Sequence, residues 1–328
     1  MIVLKRVYTM ANRFIGIGET IHASIPRIGK VMKELHALGA DAYTQPSEQL
    51  DIIRDIIESE ADEGAGYIAV NVDAFGEDDP TLAVKMMVEY VKLVRKWGKG
   101  VPVCFDSSDD NVLIAGLEEW YSGDEDVKQP LVNSIKVYSA DKMMPLKKDH
   151  DFSFIGLLMS EDKPTGPGGS HSIDELFGLA EEIFDKAIGY GFKPEEIFFD
   201  STVFPLAIDM PMEAGVPGYT YRAFETIKKI KSEPKMQEVH FSMGLSNSCR
   251  DLPGRKVGVT RAYHAVAAEY GLDAGIVNVS HHFGEKPADP ELVELVRAYA
   301  QMDGSPEKVN NAMMLMGQFC ASAKKPPA

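Results

Sequence analysis

Eight short runs of β-branched and aromatic residues alternate with longer amphipathic runs, and this alternation is the tightest constraint on how the chain folds. The short runs are 14–17, 67–72, 101–105, 131–135, 154–158, 197–199, 238–242 and 274–277. Between them, 47–62 carries Leu50, Ile53, Ile56 and Ile57, and 81–97 carries Val84, Met87, Val88 and Val91, each at the spacing of one helix face. Further helices are expected over 173–190, 223–230, 257–270 and 290–299, with a weaker one over 139–146. A strand followed by a helix and another strand needs a long crossover, so neighbouring strands pair in parallel. Eight such units predict a closed (β/α)8 TIM barrel of the α/β class.

No linker or shift of composition divides the chain. The expected organisation is an N-terminal extension over 1–13, one barrel over 14–320, and a tail over 321–328 whose lysines and prolines favour fraying. Three connections are longer than usual. The segment 21–43 is expected to contain a helix over 27–38, and 160–172 is rich in Pro and Gly. The third, 202–219, holds Phe204, Leu206, Ile208, Met210, Met212 and Val216. An apolar loop at a barrel mouth covers a pocket, meets another protein, or packs on its own barrel.

Composition removes several function classes. Lysine and arginine number 34 against 50 acidic residues, a formal charge of −16 that disfavours nucleic acid and anionic membrane surfaces. The three cysteines, Cys104, Cys249 and Cys320, form no CxxC pair and no disulfide framework, which points to a reducing cytoplasm. No run approaches a membrane span, and the first residues lack the small-residue cleavage site of a signal peptide.

In a barrel of this kind the chemistry lies at the carboxyl ends of the strands. Those ends present Glu19, Asn71, Asp106, Asn133, Met159, Asp200, Asn247 and Asn278. Carboxylates only accept hydrogen bonds and carboxamides do both, so this ring suits a flat, neutral heterocycle with several N–H donors and a carbonyl. A pterin is such a ligand. Phosphate recognition would want a Gly-rich turn before a helix, or Lys and Arg at the mouth. Gly16-Ile17-Gly18 lacks that context and reads as strand-end punctuation.

Plainer uses compete for each residue. Asp106 has the chemistry of a helix cap, and Asn133 and Asp200 that of loop ties. Glu19 has the charge to pair with a buried arginine. His281 and His282 follow the eighth strand, but adjacent side chains in extended backbone diverge, so no protein-bound metal is expected.

The strand-end motifs resemble those of the methyltetrahydrofolate:corrinoid methyltransferases, within the pterin-binding, dihydropteroate-synthase-like barrels. Gly18-Glu19-Thr20-Ile21-His22 resembles their Gly-Glu-Arg-Ile-Asn opening, and Val70-Asn71-Val72 their second-strand signature. Cys104-Phe105-Asp106-Ser107 resembles Leu-Asp-Ser-Thr, and Val132-Asn133-Ser134 resembles Ile-Asn-Ser. Phe199-Asp200 is similar to the Ile-Asp-Pro of the sixth strand. Gly244-Leu245-Ser246-Asn247, followed by Cys249 and Arg255, is similar to the telling Gly-Leu-Ser-Asn run, and Gly271-Leu272-Asp273-Ala274 to the entry into the eighth strand. Seven short motifs in one order make a specific signal. Departures are Ala69 where the family often has an acid, His22 for Asn, and Ser201 for Pro.

The resemblance implies a cytoplasmic enzyme of one-carbon metabolism. Its substrate would be tetrahydrofolate or 5-methyltetrahydrofolate, and its methyl partner a corrinoid (cobalamin) on a separate protein docking at the mouth. It also implies roles. Asp106, Asn133 and Asp200 would anchor the pterin, with Glu19 and Asn71 in the same wall. Asn247 would meet N5 and Arg255 would hold the mouth loop or the ligand's polar end, while Met159, Asn278 and His281 are weaker candidates. A homodimer is expected. The chain itself has no corrinoid-binding Asp-x-His-x-x-Gly pattern. Two other readings are a dihydropteroate-synthase-like enzyme, which would want a lysine near the seventh strand, and a non-catalytic folate-binding subunit.

Overall fold

The computed structural model describes residues 14–123, 126–160, 172–209, 211, 213–252, 254 and 256–324. Its strands are β1 (Ile15–His22), β2 (Tyr67–Asn71), β3 (Val103–Asp106), β4 (Leu131–Ile135), β5 (Ser153–Leu157), β6 (Ile197–Asp200), β7 (His240–Gly244) and β8 (Ala274–Val277). They close in sequence order into one parallel barrel, with β1 paired to both β2 and β8. The predicted (β/α)8 architecture is therefore the observed one.

The helices are α1 (Pro26–Ala37), α2 (Glu48–Asp62), α3 (Pro80–Trp97), α4 (Asp110–Trp120), α5 (Ala140–Met143), α6 (Ile173–Gly189), α7 (Tyr219–Ser232), α8 (Lys256–Tyr270), α9 (Pro290–Tyr299) and α10 (Pro306–Lys324). Among the described residues no helix is long and apolar enough to cross a membrane. Starts follow local chemistry. Ser47 caps α2 by accepting from the Leu50 N–H, and Ser172 with Glu175 forms a reciprocal capping box at α6.

The core has two parts. A small inner layer of Ile17, Ala69, Cys104, Leu131, Ile155, Phe198 and Ala274 fills the barrel. A much larger shell packs the outward strand faces against the helices. Side chains alternate along a strand, so the residue two places beyond an inner-layer residue also points inward, one step nearer the mouth.

Three expectations need correction. Gly16 and Gly18 do not end a strand, because β1 continues to His22. A Cβ on Gly18 would lie 2.4 Å from Oε2 of Glu60, a residue of α2 that is 4% exposed, so this glycine admits a helix carboxyl against the barrel wall. Helices α4 and α10 did not emerge from the sequence pattern. The tail is also shorter than expected: α10 continues to Lys324, and the Ser322 hydroxyl donates to Glu291 at 2.6 Å. The extension 1–13, the loop residues 161–171 and the last residues 325–328 lie outside the described residues.

Two glycines test the packing. In α4, a Cβ on Gly116 would lie 2.7 Å from the Phe105 ring and 3.0 Å from Met87, whereas on exposed Gly178 of α6 it would meet nothing within 4 Å. Gly116→Ala should cost about 1–3 kcal/mol of unfolding free energy by overpacking. Gly178→Ala should add about 0.5–1 kcal/mol by removing unfolded-state freedom. Urea unfolding of both variants checks the contrast, and equal effects would contradict it.

Candidate active site

The inner-layer residues of five strands are each followed, two places on, by a polar residue: Ile17 by Glu19, Ala69 by Asn71, Cys104 by Asp106, Leu131 by Asn133 and Phe198 by Asp200. All five polar residues line one cavity of about 680 Å³ at the mouth, together with Asn247. This volume is that of a small-molecule or cofactor site. Asn71, Asp106 and Asn133 are direct register neighbours on β2, β3 and β4.

The plainer uses can now be judged. Asp106 does not cap α4; Asp109 does, accepting from the Asn111 N–H at 2.8 Å. Asn133 Nδ2 donates to Asp106 Oδ1 at 2.9 Å, and the Asn71 side chain also bonds to Asp106. Asp200 is partly a loop tie, because its Oδ1 accepts the Thr202 N–H at 2.6 Å. Glu19 accepts from the Ser246 hydroxyl at 3.0 Å rather than pairing with an arginine.

Asn247 is delivered by the 3-10 turn Leu245–Cys249 that follows β7. A Cβ on Gly244 would lie 3.0 Å from the Asn247 Nδ2, so the glycine leaves room for that amide. Buried Leu245 and the Ser248 hydroxyl, which donates to the Leu245 carbonyl at 2.7 Å, hold the turn from beneath.

Three weaker candidates do not line this cavity. The Asn278 side chain caps its own 3-10 turn through the Ser280 N–H at 3.1 Å, although the Asn278 backbone does support Glu19. The His281 ring makes a T-shaped contact with Phe283 at 5.8 Å, and its carbonyl accepts from Arg261 at 2.9 Å. Met159 continues beyond β5, its N–H donating to the Leu157 carbonyl at 2.8 Å. Arg255 lies outside the described residues. Among the described residues no group of three or more His, Cys, Asp or Glu is placed to hold a metal ion.

Other lining residues escaped the strand-end pattern, notably His22, Thr202, Phe204, Ser246 and Arg250. Phe204 stacks on Tyr219 at 3.9 Å, and Leu206 is buried. The apolar loop therefore covers the cavity and packs on the barrel at once, while Ile208 and Val216 remain exposed. Met210 and Met212 lie outside the described residues.

The electrostatics follow from burial. Desolvation pushes Asp106 up to about 7; the Asn71 hydrogen bond and Lys136 pull it down, and Asp73 pushes it up. Desolvation likewise pushes Asp200 up to about 7, against the Thr202 N–H and with the help of Asp106. Burial also raises Glu19, opposed by the Ser246 hydroxyl and the Asn278 backbone. His22 is lowered by burial, with Asp73 acting against it. The cavity thus gathers buried carboxyls whose pKa values are raised, which marks a candidate functional site.

A pH test follows from the sign of these shifts. A carboxyl whose folded pKa lies above its unfolded value of about 3.9 weakens the fold as it ionises. The cost is absent below the unfolded value and is complete once pH has risen through about 7. Asp106→Asn keeps the acceptor for Asn133 and removes the ionisation. It should stabilise the unliganded protein by about 1–3 kcal/mol at pH 8 and leave it nearly unchanged at pH 4. Thermal unfolding at the two pH values measures this, and a gain of equal size at both would exclude ionisation as the cause.

Comparisons with known proteins agree with the fold. The chain is similar in shape to the Yersinia pestis DHPS with a pterine-sulfa conjugate, at 11% identity over 98% of each chain with a TM-score of 0.50. It is also similar to a dihydropteroate synthase from Coxiella burnetii in complex with pteroic acid, at 11% identity over 93% of each chain with a TM-score of 0.49. At such an identity the first likeness speaks for the fold alone. A family model described as "Pterin binding enzyme" matches residues 43–278, most of the barrel, and the chain belongs to that family.

Proposed function

We propose that this protein moves a methyl group between N5 of tetrahydrofolate and the cobalt of a corrinoid carried by a separate protein. The observation that carries the reading is Asn247, presented by the Gly244–Leu245–Ser246–Asn247 turn into the same cavity as Asp106, Asn133 and Asp200. Asp106 and Asp200 accept from the pterin's N3–H and exocyclic amino group, and Asn133 orients Asp106 and meets the ring's polar edge. Glu19 and Asn71 complete the wall, and Arg255 holds the ligand's polar end.

In the direction of folate demethylation, the N5–methyl bond breaks as cob(I)alamin supplies the electron pair of the new cobalt–carbon bond. N5 then leaves with the bonding pair. A neutral tertiary amine leaves poorly, so positive charge at N5 lowers the barrier. Asn247 is no acid at neutral pH, but its amide accepts from a protonated N5 or donates to a neutral one. The reverse transfer uses the same groups. Corrinoid is too large to share the barrel with a pterin, and the loop 202–219, with Ile208 and Val216 exposed, is the surface for its carrier.

The dihydropteroate-synthase reading is less well supported. That chemistry wants a lysine near the end of β7 and cations for a pyrophosphate, and Arg250 is the one Lys or Arg among the described lining residues.

Absorbance spectroscopy tests the proposal directly. Wild-type protein mixed with 5-methyltetrahydrofolate and cob(I)alamin should yield methylcobalamin. Asn247→Ala should slow that transfer about 100-fold or more, with folate affinity much less affected. Equal rates would remove Asn247 from the mechanism. Tight folate binding without any transfer would favour a non-catalytic subunit.

A further inference from the structure

Glu19 lies on β1, two places beyond Ile17, and lines the cavity. Its Oε2 accepts from the Ser246 hydroxyl at 3.0 Å. Ser246 immediately precedes Asn247 in the 3-10 turn after β7, and both residues line the cavity. Strand β8 holds the two ends side by side: Ile276 is the register neighbour of Ile17 on β1 and of Gly244 on β7. A hydrogen bond thus ties the Glu19 carboxyl to the turn that presents Asn247.

Five of the described lining residues carry titratable side chains: Glu19, His22, Asp106, Asp200 and Arg250. An arginine does not give up its proton. In the proposed function Asp106 and Asp200 accept from N3–H and the amino group, on the pyrimidine ring, whereas N5 belongs to the other ring of the pterin. His22 uses Nδ1 to accept the Ser24 N–H at 3.1 Å, and burial lowers its pKa against the pull of Asp73. Glu19 is left as the acid bonded to the Asn247 turn. A carboxyl of ordinary acidity is ionised at neutral pH and has no proton to give. Burial raises Glu19, against the Ser246 hydroxyl and the Asn278 backbone. Behind the strand, on α2, Glu60 is raised to about 7 by burial, held down by its bonds to Thr20 and pushed up by Glu19.

We propose that Glu19 is the catalytic acid that delivers a proton to N5, with the Asn247 amide accepting the N–H so formed. This role presupposes the proposed methyl transfer. In folate demethylation the Glu19 O–H bond breaks, its electron pair stays on the carboxylate, and the proton binds the N5 lone pair. The methyl group then passes as a cation to the electron pair of cob(I)alamin, and the N5–methyl pair returns to nitrogen. Tetrahydrofolate leaves with a neutral N5–H, and cobalt is formally oxidised without any outside oxidant. The Ser246 hydroxyl and the Asn278 backbone hold the Glu19 carboxylate until solvent restores its proton. In the reverse transfer Glu19 takes the proton from N5.

The test is single-turnover transfer from saturating 5-methyltetrahydrofolate to cob(I)alamin between pH 5 and 9, followed by absorbance on the full-length protein. Glu19→Gln keeps the shape and an oxygen for Ser246 but has no acidic proton. It should slow transfer about 100-fold at pH 7, with the folate dissociation constant within about threefold of wild type. The deficit should shrink below about tenfold at pH 5, where solvent protonates N5 in place of Glu19. Ser246→Ala removes a hydrogen bond that favours the carboxylate, so Glu19 keeps its proton longer and the fall in rate should move to higher pH. If Glu19→Gln does not fold, that shift carries the test by itself. A Glu19→Gln deficit of equal size at every pH marks a structural role and overturns the inference, as does a Ser246→Ala profile that stays in place or moves to lower pH. A deficit rescued by acid in His22→Gln, with none in Glu19→Gln, assigns the proton to His22 and overturns it too. Wild-type protein that makes no methylcobalamin at any pH refutes the proposed function itself, and the inference with it. Wild-type transfer with no deficit in Glu19→Gln refutes the inference alone.

Discussion

The alternation of side chains along the barrel strands, broken by irregularities at the mouth ends of β1 and β4, is the constraint on which the rest depends. Ile17, Ala69, Cys104, Leu131 and Phe198 must fill the barrel interior, because the helices have already claimed the other face of each strand. Once that choice is made, Glu19, Asn71, Asp106, Asn133 and Asp200 have no alternative to the cavity. A slip of one residue in any strand would expose an apolar side chain and bury a polar one against a helix. Core packing and site assembly are thus one event, seen at two depths of the same barrel.

This arrangement places acids where water is scarce. Burial raises both Asp106 and Asp200, and Asp106 stands close enough to raise Asp200 further. The fold tolerates this because carboxamides are interleaved with the acids: Asn71 and Asn133 both lend hydrogen bonds to Asp106. Carboxyls raised in this way weaken the unliganded protein as they ionise and pre-organise it for a partner that brings further donors.

The barrel was legible in the sequence because its signal is repeated eight times, and each expected strand overlaps an observed one. Six residues that line the cavity were legible for the same reason, since the strand ends locate the mouth. What escaped was local. The glycines of β1 resembled punctuation because the side chains they admit, Val279 beside Gly16 and Glu60 beside Gly18, are distant in sequence. Helix α4 was hidden behind a run of Asp and Ser whose capping could be attributed to several residues; Asp109 turned out to be the cap. Asn278 has the residue type of its neighbours in the ring, yet a hydroxyl two places on captures its side chain. Arg250 lies past the end of β7, where no periodicity applies, and only the closure of the barrel gives it a place in the cavity wall.

Glu60 repays a last look. Its Oε1 takes the Thr20 N–H at 2.9 Å, while Oε2 is buried without a hydrogen-bond partner and lies where a side chain on residue 18 would begin. A side chain at position 18 would therefore displace the end of the Glu60 side chain and disturb its bond to Thr20. Among relatives of this chain, a bulkier residue at position 18 should tend to be inherited with a shorter one at position 60. That paired inheritance would trace a lineage within the family independently of any residue that meets the ligand.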